Sequence, residues 1–126
     1  SWFNEGLASL YEQSRSQDGH IKGSTNWRLR ALQLAIEDER LPSFEKLCST
    51  STREFYDGDS TNYAQARYLC YYLQENEKLV RFYHQFVNNV DSDPTGYQTL
   101  QSVLGRTDMM KFQQEWESYV LKLRFP

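Results

Sequence analysis

TNYAQARYLCYYLQEN, residues 61–76, is the stretch on which the fold turns. Ala66, Leu69, Cys70 and Leu73 recur at the 3.6-residue period of an α-helix. Tyr68, Tyr71 and Tyr72 carry apolar bulk round to the remaining faces. A helix that is apolar on more than one face is buried among its neighbours, whereas a surface helix shows a single stripe. Ser60 stands where an N-cap is expected. The segment therefore predicts a central helix with others packed around it.

Working outward, the helical period continues on both sides. Downstream, Leu79, Phe82, Tyr83, Phe86, Val87 and Val90 mark a helix over about residues 77–89. DSDPTG (91–96) reads as a turn, Thr95 as the cap of the next helix, and Gly105 as its stop. Thr107 and Asp108 open a last helix striped by Met109, Phe112, Trp116, Val120 and Leu123. Upstream, Phe3, Leu7, Leu10 and Tyr11 predict a helix from Trp2 to about Arg15. SQDGHIKGST (16–25) is polar and glycine-bearing, and reads as a loop. Asn26 can cap a helix running to about Arg40, Pro42 ends it, and Ser43 opens a short helix over FEKLC. STREFYDGD (51–59) reads as a connection with a turn at Asp57-Gly58.

Composition points the same way. The 126 residues suit one domain, here an all-α bundle of about seven helices. Nineteen residues are Phe, Trp or Tyr and fourteen are Leu, against seven Val and Ile together, a core composition that favours helix over sheet. No apolar run approaches the roughly 20 residues of a membrane helix. The opening stretch lacks the basic start and uniform apolar centre of a secretion signal. With a net charge of −3 and basic residues scattered at Arg28, Arg30, Arg67, Arg81 and Lys122, nothing suggests nucleic acid as a partner. Cys48 and Cys70, with 21 residues between them, match no zinc-knuckle or CxxC spacing and read as small buried or half-buried thiols. Glu37, Asp38 and Glu39 read as a solvated acidic face.

The first helix holds the residues with chemical interest. Gly6 costs about 1 kcal/mol relative to Ala inside a helix, so it is expected to serve close packing. Glu5 projects away from the Phe3–Leu7–Leu10 stripe, sharing its face with Ala8, Ser9 and Glu12. Small residues there would let another backbone approach the carboxylate.

Trp2-Phe3-Asn4-Glu5-Gly6-Leu7-Ala8 with Glu12 resembles the W-[LF]-N-E-G-[FL]-A-x-x-x-E segment of the gluzincin zinc metallopeptidases. The resemblance implies a thermolysin-like domain in which an HExxH helix gives two histidine ligands and the general base, and the NEG glutamate gives the third ligand. Glu5 then looks like that third zinc ligand, with Asn4 and Gly6 as its packing context. Asn62-Tyr63-Ala64-Gln65-Ala66 with Leu69, Tyr72 and Leu73 is similar to a Y-A-x-[AS]…YL pattern in peptidase-MA-like bacterial families. The endings LVRFY, VLGRT and FQQEWESYV look like the helical tail of those proteins. Tyr63 could donate its hydroxyl to a tetrahedral oxyanion, a role that tyrosines play in some gluzincins.

The departure from the family pattern is the absence of HExxH. His20 and His84 lie 64 positions apart and neither has a glutamate beside it. A catalytic zinc needs three protein ligands and an open position for water. The resemblance therefore implies that these residues are the C-terminal helical part of a larger, exported bacterial type of protein. An upstream HExxH-bearing segment is the implied partner, a peptide or protein the implied substrate, and zinc the implied cofactor of the whole. The chain alone is expected to hold zinc weakly and to be inactive. With the upstream segment removed, Trp2 at the edge of the Glu5 face is expected to be mobile or to find a substitute partner. The alternative is a non-catalytic helical module for protein interaction.

Overall fold

Every residue from Ala64 to Tyr71 is buried, and so is Leu73, so the aromatic-rich stretch does run through the centre. A computed structural model describes residues 1–12, 14–17, 20–57 and 61–125. Its elements in order are α1 (Trp2–Leu10), β1 (Ser14–Gln17), β2 (His20–Gly23), α2 (Arg28–Glu37), α3 (Phe44–Ser49), α4 (Thr52–Asp57), α5 (Thr61–Glu75), α6 (Leu79–Asn89), α7 (Tyr97–Leu104) and α8 (Met109–Leu121). The class is all-α, a helical bundle with one small hairpin at its edge.

Two aromatic clusters fill the core on either side of α5. Trp2 and Phe3 pack on Phe82 at 5.6 and 4.9 Å between ring centroids, and Phe82 stacks on Phe86 at 5.7 Å. On the other side Phe44 meets Trp116 edge-on at 5.0 Å and Phe112 at 5.5 Å. Trp116 Nε1 donates to the Tyr68 carbonyl at 3.2 Å, which ties α8 to the middle of α5. Edge-to-face and offset contacts of this kind each add about 0.5–1.5 kcal/mol beyond the area they bury.

Local chemistry explains most of the helix ends. Ser43 accepts from Lys46 N at 3.1 Å and Asp108 from Lys111 N at 3.1 Å, both as N-caps. Gly105 ends α7 in the left-handed region at φ 67°, where only glycine is free of strain. Asn26 Oδ1 accepts from Arg28 N at 3.0 Å, so it does satisfy the start of α2. Ser60 lies outside the described residues.

Four expectations are corrected. The segment 51–59 carries a helix, α4, so the described residues hold eight helices where seven were expected; Phe55, 1% exposed, anchors it against Tyr63. The predicted loop 16–25 contains part of an antiparallel hairpin, with Ser14 opposite Gly23 and Gln17 opposite His20. The hairpin is held from outside its own sequence: Gln74 accepts from Gly23 N at 2.8 Å and donates to Gly23 O at 2.9 Å, imitating a neighbouring strand. At the start of α7, Asp93 does the main capping, accepting from Thr99 N at 2.7 Å and Thr99 Oγ1 at 2.8 Å, while Thr95 accepts from Tyr97 N at 3.3 Å. Finally, Trp2 is not at a loose edge. It is 0% exposed, and its Nε1 donates to the Thr95 carbonyl at 2.7 Å.

The seat of α1 on α5 depends on Gly6. A Cβ there would lie 2.7 Å from the Ala66 carbonyl oxygen and 2.9 Å from its carbon. Both atoms are backbone of the central helix and cannot give way locally. Gly6→Ala should therefore destabilise by about 1–3 kcal/mol despite alanine's better helix propensity. Urea unfolding of the two chains checks this; equal or greater stability of the variant would show that the helices are not so closely seated.

Candidate functional site

Because Gly6 faces α5, its chain neighbours are turned toward the edge and outside of α1. Glu5 is half-buried, with Asn4 and Ala8 exposed beside it and Leu7 half-buried. Among the described residues the Glu5 carboxylate makes no hydrogen bond or ion pair. Ser9 does not share this face as expected: it is 2% exposed and turned into the core. The backbone that the small residues admit is that of α5, at Gly6.

Tyr63, one turn before Ala66 on α5, is half-buried. Its ring meets Phe55 edge-on at 5.4 Å, and the Arg28 guanidinium lies 5.6 Å from its centroid. Arg28 also stacks on Trp27 at 4.4 Å and reaches Glu12 at 3.4 Å. The fold thus brings the helices bearing Glu5 and Tyr63 into contact, and it links Tyr63 to the far end of α1 through Arg28 and Glu12. No hydrogen bond joins Glu5 to Tyr63.

Beside Glu5, the apolar side of α1 continues into a shallow groove of about 220 Å³ lined by Phe3, Leu7, Tyr11, Leu79, Val80 and Tyr83. Val80 is 69% exposed and Tyr83 49%, so α6 presents an apolar face to the outside here. His84 is exposed on the same helix. Among the described residues no three His, Cys, Asp or Glu side chains converge as a metal site. Nor, among the described residues, is any helix long and apolar enough to cross a membrane.

One residue with chemical interest was missed in the sequence. Arg67, counted there among scattered basic positions, is 0% exposed. Its Nη2 donates to the Ser24 carbonyl, whereas Nε and Nη1 have no hydrogen-bond partner among the described residues. Burial lowers its pKa, an effect opposed by Tyr68 and Glu12 and reinforced by Arg28. Its signal was position: it lies between Ala66 and Tyr68 on a helix already read as buried all round.

No family model, curated protein or solved structure matches this chain.

The two cysteines are free and buried, as small core side chains. Burial pushes both thiols well above the ordinary cysteine value, with Asp93 adding to the effect at Cys48. A thiol so placed is neither nucleophile nor ready metal ligand. Labelling by a disulfide reagent at neutral pH should be at least ~100-fold slower in the native chain than in urea, since it must await opening of the core. Fast labelling without denaturant would contradict the burial.

Proposed function

We propose that this chain is the C-terminal helical part of a gluzincin-like zinc metallopeptidase and contributes Glu5 as the third zinc ligand. The observation that carries this reading is the placement of Glu5. Gly6 locks one side of α1 onto the central helix, and the adjoining carboxylate is left half-buried and without a partner among the described residues. A carboxylate held on a rigid helix and not consumed by an internal ion pair suits a metal ligand, because orientation is set before the ion arrives. The remaining ligands and the general base would come from an upstream HExxH-bearing segment lying over Asn4, Glu5 and Ala8. A zinc ion held there would supply Lewis-acid activation of water and of the peptide carbonyl.

On this reading each residue has one task. Glu5 gives a negatively charged oxygen donor. Asn4 and Ala8 keep the approach to it low and polar. Tyr63 is the candidate donor to the tetrahedral oxyanion, its ring packed against Phe55 and near the Arg28 guanidinium. One carboxylate does not compete with water for zinc, so the 126 residues alone bind the ion weakly and hydrolyse nothing.

A second reading, a non-catalytic module for protein interaction, is favoured by the groove between α1 and α6 with its exposed Val80 and Tyr83. Grooves of this kind accept an amphipathic helix.

The two readings separate in the longer parent protein. Glu5→Gln keeps size but removes the charged ligand, so zinc content and peptide hydrolysis should both fall by ~100-fold or more. Glu12→Gln, which loses only a partly exposed pair with Arg28, should change either by less than about threefold. Tyr63→Phe should lower kcat by about 100-fold with zinc retained, if its hydroxyl meets the oxyanion. The checks are metal content of the purified proteins and activity on a mixed peptide library. Unaltered zinc and activity in Glu5→Gln would leave Glu5 a surface glutamate and give the ground to the interaction module.

A further inference from the structure

Among the described residues, one buried cation has no anion bonded to it. Arg67 is 0% exposed; among the described residues its Nη2 donates to the Ser24 carbonyl, the Tyr68 hydroxyl stabilises its charge from nearby, and Nε and Nη1 have no close acceptor. An ionised group enclosed in this way costs several kcal/mol unless a counter-charge or hydrogen bonds compensate it. Glu12, the carboxylate among the described residues that acts on it, has both oxygens directed at Arg28, at 3.4 Å each. Among the described residues, two guanidinium groups thus share one carboxylate, which leaves one positive charge in excess.

The same corner holds a second orphan. Asn26 is 1% exposed, and its Nδ2 has no partner. Its orientation is fixed, because Oδ1 accepts from Arg28 N at 3.0 Å and from the Tyr68 hydroxyl at 3.2 Å. Turning the amide over would set Nδ2 against the Arg28 N–H. Tyr68, bonded to Asn26, lies with its ring centroid 5.7 Å from the Arg67 guanidinium. The unsatisfied atoms here, Arg67 Nε, Arg67 Nη1 and Asn26 Nδ2, are all donors. A water oxygen can accept two such bonds but carries no charge to offset the guanidinium. An ion that only accepts, and carries one negative charge, answers both the excess charge and the idle N–H bonds.

We propose that Arg67 and Asn26 form a buried site for a small singly charged anion, either chloride or the carboxylate of a short acid. The site stands independently of any zinc chemistry at Glu5. It is a structural ion site that couples the start of α2 to the centre of α5.

Binding to the folded state alone raises the melting temperature by mass action. Calorimetry of the 126-residue chain at constant ionic strength, in sodium chloride, sodium formate or a bulky sulfonate buffer, reads this directly. Chloride or formate should raise Tm saturably, by about 5 °C at roughly ten times its dissociation constant, relative to the sulfonate. A rise with chloride alone assigns the halide, and a rise with formate assigns the carboxylate. Arg67→Met should abolish the response. Where that variant fails to fold, Asn26→Asp carries the test. It places a carboxylate in the same corner, so Tm in sulfonate should rise and the dependence on added anion should vanish. Identical Tm in all three salts, or a response that persists in Asn26→Asp, would overturn the site.

Discussion

The close approach of α1 to α5 at Gly6 is the contact on which the rest of the molecule depends. With the Ala66 carbonyl where a side-chain carbon would otherwise stand, the two helices meet almost backbone to backbone. That proximity drives Trp2 and Phe3 into the aromatic cluster of α6 and brings Leu10 against Gly23, whose own missing Cβ would lie 2.4 Å from Leu10 Cγ. Gln74 then grips Gly23 from α5, so the hairpin, α1 and α5 close into one unit. Because the rotation of α1 is set by Gly6, the position of Glu5 at its outer edge is set too. A functional side chain gains most from such a support when the helix beneath it cannot turn.

The periodic segments were legible because the apolar stripe and the end signals agree. In α5 and α8 the stripe residues Leu69, Leu73, Phe112, Trp116 and Val120 are buried as their spacing requires. Asp108, Ser43 and Gly105 act as the caps and stop that their chemistry suggests. Local reading failed where a distant partner decides the outcome. Trp2 is buried because the Thr95 carbonyl, 93 residues away, takes its indole N–H. The hairpin has little apolar alternation of its own, and Gln74 holds it in place. Asp93 was read as part of a turn, although a carboxylate four residues ahead of the helix start can reach forward to its free N–H groups.

The candidate site divides in the same way. Glu5 on the outer edge of α1 follows from the helical wheel, and Gly6 as a packing residue follows from its cost in a helix. Arg67 was missed because charge ordinarily marks exposure, and a single charged residue within a buried stripe is read as a long side chain reaching solvent. Its burial results from α2 and the Ser24–Asn26 segment closing over it, which no local pattern encodes. The described residues therefore carry two chemically distinct features: a carboxylate at the edge of α1 with no bonded partner among them, and an enclosed guanidinium on α5 with no bonded anion among them. The thiols, sunk in the core, belong to neither.

All of this requires α1, for all its position at the start of the chain, to be part of the core. Amide hydrogen exchange followed residue by residue tests that most directly, because terminal helices held only by their own hydrogen bonds fray at almost no cost. The amides of Gly6 through Leu10 should exchange only with the global opening that releases Leu69 and Leu73 of α5. Exchange of those α1 amides through a low-energy local opening, while α5 stays protected, would contradict the seating of α1 and the fixed placement of Glu5 with it.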